Sequence, residues 1–104
     1  MTTFKVIDII DGETIKLASN FKWNSPHGRI MVGNTVKING YNLPPKDTFA
    51  YNYVKEKLEL LLKNKMVVLK NPILFKGLEG ESIICDVFID NINVVSYFPE
   101  YKIK

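Results

Sequence analysis

The stretch Val6-Ile7-Asp8-Ile9-Ile10-Asp11-Gly12-Glu13-Thr14-Ile15-Lys16-Leu17 decides how this chain folds. Phe4, Val6, Ile7, Ile9 and Ile10 form an apolar, largely β-branched run, the composition that suits a half-buried strand. The run stops at Asp11-Gly12, a dipeptide that tolerates the positive backbone angles of a tight turn. From Glu13 to Ala18 the pattern alternates, with Ile15 and Leu17 on one face. A β-hairpin is therefore expected, with arms at Thr3–Ile10 and Glu13–Ala18 and its tip at Asp11-Gly12.

Downstream, the segment 19–28 is polar and turn-rich around a lone Trp23 and reads as a loop. Two short strands, 29–32 and 34–39, are expected around a Gly33-Asn34 turn. The first helix signal follows the helix-incompatible pair Pro44-Pro45, where Asp47 or Thr48 can cap a helix over Phe49–Lys63. Ala50, Tyr53, Val54, Leu58, Leu61 and Leu62 recur at helical spacing and form its expected core stripe. Asn64 can end the helix in a left-handed conformation. Further strands are expected at 65–70 and 73–76 about a break at Asn71-Pro72, then at 82–89 after the turn 77–80, and at 92–95 after Asp90-Asn91. This order suits an α+β or mainly β domain, a small barrel with one helix closing an end.

Length and composition bound the chemistry. The 104 residues are 46% hydrophobic and 24% charged, enough for one core, so the whole of 1–104 is read as a single domain. With one cysteine and one histidine, an intrachain disulfide and a four-ligand Cys/His zinc site are excluded. Cys85, inside the apolar run 82–89, reads as a small buried hydrophobe, and His27 between Pro26 and Gly28 reads as an exposed loop residue. Carboxylate or metal-assisted chemistry remains. No stretch reaches the ~18 apolar residues of a membrane span, and the start of the chain lacks a signal-peptide core, so a soluble, cytoplasmic protein with no membrane partner is expected. The net charge of +3 permits contact with a phosphate backbone.

Three ordered segments resemble staphylococcal nuclease-like (thermonuclease) domains. The hairpin is similar to their opening V-x-D-G-D-T-[IV]. Val36-Lys37-Ile38-Asn39-Gly40-Tyr41-Asn42-Leu43-Pro44-Pro45 looks like V-R-[LI]-x-G-[IY]-D-A-P-E. The run 80–91 looks like Y-G-R-x-[LV]-x-x-V-[YF]-x-[DN]-G. The resemblance implies a five-stranded OB-fold barrel with its main helix between strands three and four. It also implies Ca²⁺-dependent phosphodiester hydrolysis, in which carboxylates hold the cation, a glutamate assists water and two arginines stabilise the phosphorane.

The residues at those positions depart from that chemistry. Glu13 stands at the first metal aspartate and keeps the charge on a longer side chain. Asn42 stands at the second metal aspartate without its charge. Pro45 stands at the glutamate and has no side-chain acceptor. Lys37 replaces the first arginine with a point charge that lacks the bidentate fork, and Ser82 replaces the second with no charge. A degenerate homologue that binds nucleic acid or a protein partner is expected, with no cofactor. Lys37, Lys16 and Tyr41 are its candidate nucleic-acid contacts, since OB barrels hold single strands on basic grooves with stacking aromatics. The alternative is a Ca²⁺-dependent endonuclease with a rearranged site, for which Asp11, Glu13 and Asp47 are the candidate ligands and Asp86, sharing strand parity with Ser82, is a further acid. The segment 97–101 takes the place of the longer helical C-terminus of classical members. Oligomeric state is not legible in the sequence.

Overall fold

A computed structural model describes residues 3–24, 28, 30–77 and 80–101. Strands β1 (Thr3–Ile9), β2 (Thr14–Asn24) and β3 (Ile30–Ile38) precede the helix α1 (Phe49–Leu62), and β4 (Met66–Gly77), β5 (Gly80–Ile89) and the two-residue β6 (Ile92–Asn93) follow it. The strands neighbour one another in the order β3-β2-β1-β4-β5-β6. A parallel β3–β5 pairing closes the ring through Lys37 opposite Ile84 and Ile38 opposite Cys85. The result is a mainly β, five-stranded closed barrel with one helix between β3 and β4, an OB-like architecture as expected. Among the described residues no helix is long and apolar enough to cross a membrane.

The opening hairpin forms with Ile9 opposite Ile15, and the Ile10 amide donates to the Thr14 carbonyl at 2.9 Å across the turn. Alternation decides which side chains enter. Val6, Ile9, Ile15, Leu17, Val36, Ile38, Val67, Cys85, Val87 and Ile89 are buried in one core, and residues between them on the same strands face outward.

Several strand boundaries differ from expectation. The segment expected as a loop over 19–28 begins as strand, because β2 runs to Asn24. From the pair Lys16/Thr35 to the pair Phe21/Gly33, β2 takes five residue steps against two on β3. The surplus residues, Ala18-Ser19-Asn20, are exposed in a large bulge, after which the ladder resumes through Trp23 opposite Met31. The reading of His27 as an exposed loop residue falls outside the described residues. Gly33 does not turn the chain either. It sits within β3 opposite Phe21, where an added Cβ would lie 3.5 Å from the Phe21 ring, an ordinary van der Waals contact.

The expected break at Asn71-Pro72 is a second bulge, where β4 shifts register between Lys70 and Ile73 and Asn71 takes a φ of 56°. A bulge accommodates Pro72, which cannot donate to a ladder, without ending the strand. Asp90 and Asn91, at φ 51° and 67°, form the expected turn, a primed type matched to strand twist. After it, only Ile92–Asn93 pairs, and Val94–Tyr97 is a 3₁₀ turn capped by the Asn93 side chain. Leu78 and Glu79 of the turn 77–80 lie outside the described residues, while Gly77 pairs with Gly80.

Helix α1 begins at Thr48, whose hydroxyl accepts the Tyr51 amide at 3.2 Å, which settles the cap between Asp47 and Thr48. Asn64 takes the expected left-handed conformation at φ 64°. The buried stripe is Tyr51, Val54, Leu58 and Leu62, not the one through Ala50 and Tyr53. Tyr53 turns outward because Tyr51 is drawn in by a polar partner described below. Burying each of the two leucines contributes about 1.5–3 kcal/mol, so packing rather than helix propensity holds α1 in place.

Candidate nucleic-acid interface

The β1–β2 turn is held from inside by two hydroxyls. Tyr51 Oη accepts the Gly12 amide at 2.9 Å, and Tyr41 Oη donates to the Gly12 carbonyl. A side chain at Gly12 would bring its Cβ within 2.9 Å of the Tyr51 ring and 3.1 Å of Leu43, so the close approach requires glycine. Asp11 Oδ1 accepts the Glu13 amide at 2.9 Å, and the Glu13 carbonyl accepts the Ile38 amide at 2.7 Å. The turn is thus fixed to β3, α1 and its own carboxylate.

Tyr41 is accordingly a core residue and not a stacking platform for bases. It is 5% exposed and its ring stacks on Phe98 at 5.7 Å. Burial, reinforced by the charges of Glu13 and Asp11, pushes its phenol well above the ordinary tyrosine value.

The donor set does not fit a Ca²⁺ ion of the resembled kind. Among the described residues no three His, Cys, Asp or Glu side chains group closely enough to hold a metal. Asn42, Pro45 and Asp47 lie exposed on the segment that enters α1, where the Pro45 carbonyl accepts the Thr48 hydroxyl at 2.6 Å. Asp86 is committed elsewhere. Its two carboxylate oxygens receive the Asn39 amide at 3.3 Å and the Asn71 amide at 2.8 Å, which pins the β4 bulge to the end of β3. It therefore stabilises the fold instead of supplementing a catalytic cluster.

The positions that resemble the two arginines do come together. Barrel closure extends over just two residues of each strand, and beyond it β3 and β5 separate to leave a cleft of about 280 Å³. Lys37 and Ser82 line it together with Thr14, Thr35 and the apolar Phe21 and Val32. The ladders extend this arrangement across the outer face. Thr14, Lys37, Ile84 and Ile73 form one cross-strand row from β2 to β4. Lys16 pairs with Thr35 and Ser82 pairs with Phe75, and Thr35 and Ser82 each stand two residues before the closing pair, so they form the next row. Lys16 is exposed and Lys37 half-buried, so both candidate lysines share one face with three hydroxyls. Glu13, Asn42 and Pro45 are not among the residues lining the cleft.

The sequence did not single out Phe75 or Thr35, and Thr14 entered only as a residue of the opening hairpin. The strand parity of Ile73 and Phe75 was visible, but without knowing that β4 continues through Pro72 nothing aligned it with Ser82.

Cys85 is fully buried and its thiol is pushed up to about 12, chiefly by burial and then by the neighbouring Asp86 charge. At pH 8 an aromatic disulfide reagent is expected to label Cys85 orders of magnitude more slowly in the native protein than in denaturant, because thiolate and access both require opening. Stopped-flow labelling across a urea series checks this, and equal rates would contradict the burial.

No protein-family model, curated protein or solved structure matches this chain.

Proposed function

We propose that this barrel is a binding module for single-stranded nucleic acid, a nuclease-like scaffold whose catalytic positions are substituted, with its interface on the outer face over the β3/β5 seam. The observation that carries the reading is the gathering of Lys37, Thr14, Thr35 and Ser82 around one cleft, with Lys16 beside them. Two ammonium groups attract a phosphate backbone, and the hydroxyls can donate to its oxygens while the apolar floor excludes water. The net charge of +3 favours encounter with a polyanion. Binding is favoured over turnover because Pro45 has no acceptor, Asn42 and Ser82 are uncharged, and Asp11 uses a carboxylate oxygen to hold its own turn.

The test is retardation of single-stranded DNA and RNA, in Ca²⁺ and in EDTA, across a salt series. Retention without cleavage is expected in both buffers, weakening steeply with salt. Lys16→Gln and Lys37→Gln should each lower affinity and flatten the logarithmic salt slope by about 0.7, the value for one single-strand phosphate contact. Cleavage dependent on Ca²⁺ would instead support an endonuclease with a rearranged site.

A second reading, docking of a protein partner, is favoured by a different surface. Phe49 is 94% exposed and Leu60 83%, and with Tyr53 they share one side of α1. The two surfaces separate experimentally, since Phe49→Ser with Leu60→Ser should leave strand retention unchanged if nucleic acid lies over the seam.

A further inference from the structure

The aromatic that the expected interface lacks once Tyr41 is buried is supplied by Phe75. Its ring is 51% exposed on β4, directly across the ladder from Ser82, which lines the cleft. Ile73, 52% exposed, lies two residues away on the same face, opposite Ile84, the closing partner of Lys37. Several other aromatics are engaged, Tyr41 with Phe98, Tyr51 with Gly12, Phe88 beneath the Lys70 ammonium and Tyr53 near that of Lys57, while the exposed Phe49 lies on α1 and does not line the cleft. Phe75 makes no ring or cation contact among the described residues.

We infer that Phe75 is a base-stacking platform, and that a single strand crosses the barrel with a base on the Phe75–Ile73 step and its phosphates on Lys37 and Lys16. This rests on the nucleic-acid reading above and adds to it the face of the base as the recognised element. The four adjacent strands β4, β5, β3 and β2 span three spacings, roughly 14 Å, which separates an aromatic end from a cationic end along one path. Asp86, the acid two residues beyond Ile84 on this face, has its oxygens occupied by Asn39 and Asn71. Every base has a π-face, so such a platform is tolerant of sequence, but a paired base cannot lie flat on it.

The experiment compares native protein, Phe75→Ala and Phe75→Trp on three probes of on the order of ten nucleotides: an oligothymidine, the same backbone without bases, and a duplex. Native protein should bind the oligothymidine best. Phe75→Ala should weaken that complex by about 5- to 150-fold, the range for one stacked base, with an unchanged salt slope, and Phe75→Trp should retain it. On the base-free strand native and Phe75→Ala should bind equally, because the lost contact is to the base. Thermal unfolding shows that each variant is folded, which half-exposure of the site favours. If native protein binds the strand and Phe75→Ala binds it within twofold, the platform is wrong while the nucleic-acid reading stands. If native protein binds none of the probes, both fall.

Discussion

Replacing Phe98 with alanine is expected to remove about 3–5 kcal/mol of folding stability, a large share of the ~5–15 kcal/mol available to a domain of this size. The residue is 2% exposed and lies in the segment after the 3₁₀ turn, away from the strands that define the barrel. Its ring stacks on Tyr41, and the Lys57 ammonium sits 5.0 Å above it while donating to the Tyr97 carbonyl. Its backbone continues the same connection, because its carbonyl accepts the Tyr101 amide at 3.0 Å and the Tyr101 carbonyl accepts the Asn42 amide at 2.8 Å. Truncation would leave a ring-sized cavity beneath Tyr41 and loosen the hold of segment 98–101 on the β3–α1 connection. Urea and thermal denaturation measure the loss, with a midpoint fall on the order of 15–25 °C. Phe98→Leu, which refills most of the volume without the ring, should cost less than half as much. A loss below about 1 kcal/mol for the alanine would show that the segment is not part of the core.

That a short C-terminal segment carries so much was hidden in the sequence for a definite reason. Local pattern identifies elements that bury one face through their own periodicity. Thr3–Ile9, Thr14–Leu17, the helix from Phe49 and the strand to Ile89 were legible on that basis. Irregular segments bury side chains one at a time, so no local pattern distinguishes a buried Phe98 or Tyr41 from an exposed aromatic. The bulges misled in the same way. Ala18-Ser19-Asn20 and Asn71-Pro72 carry turn chemistry, yet the flanking ladder continues because pairing on both sides outweighs the local interruption. In the site, Lys37 and Ser82 could be matched by position, but their joining in one cleft depends on a two-residue parallel closure that no local signal announces. Tyr53 and Tyr51 exchanged roles because helical spacing cannot foresee a hydrogen bond to a glycine 39 residues earlier.

That hydrogen bond sets up the second large effect. Tyr51→Phe should cost about 1–3 kcal/mol by stranding the buried Gly12 amide, and Tyr41→Phe a similar amount by stranding the Gly12 carbonyl. The double substitution should cost less than the two singles added, because both hydroxyls hold the same residue and the turn is already released when the first is gone. A double-mutant cycle in urea measures that coupling, and strict additivity would mean that the turn does not respond as a unit. The clamp also links stability to pH. The Tyr41 phenol is raised in the folded state, so the unfolded chain ionises first, near the ordinary ~10. Its contribution is therefore complete below about pH 10 and is lost as pH rises from there towards the folded value. Cys85 acts in the same direction over a lower window, from its ordinary ~8.5 up to about 12. Native protein should thus lose stability progressively above roughly pH 8.5, first through Cys85 and then through Tyr41 as well. Cys85→Val should remove the earlier part of that decline, and adding Tyr41→Phe should flatten the part above pH 10. A Tyr41→Phe protein that declined as steeply as its parent above pH 10 would show that the phenol ionises as freely in the fold as in the unfolded chain, against its burial beside Glu13 and Asp11.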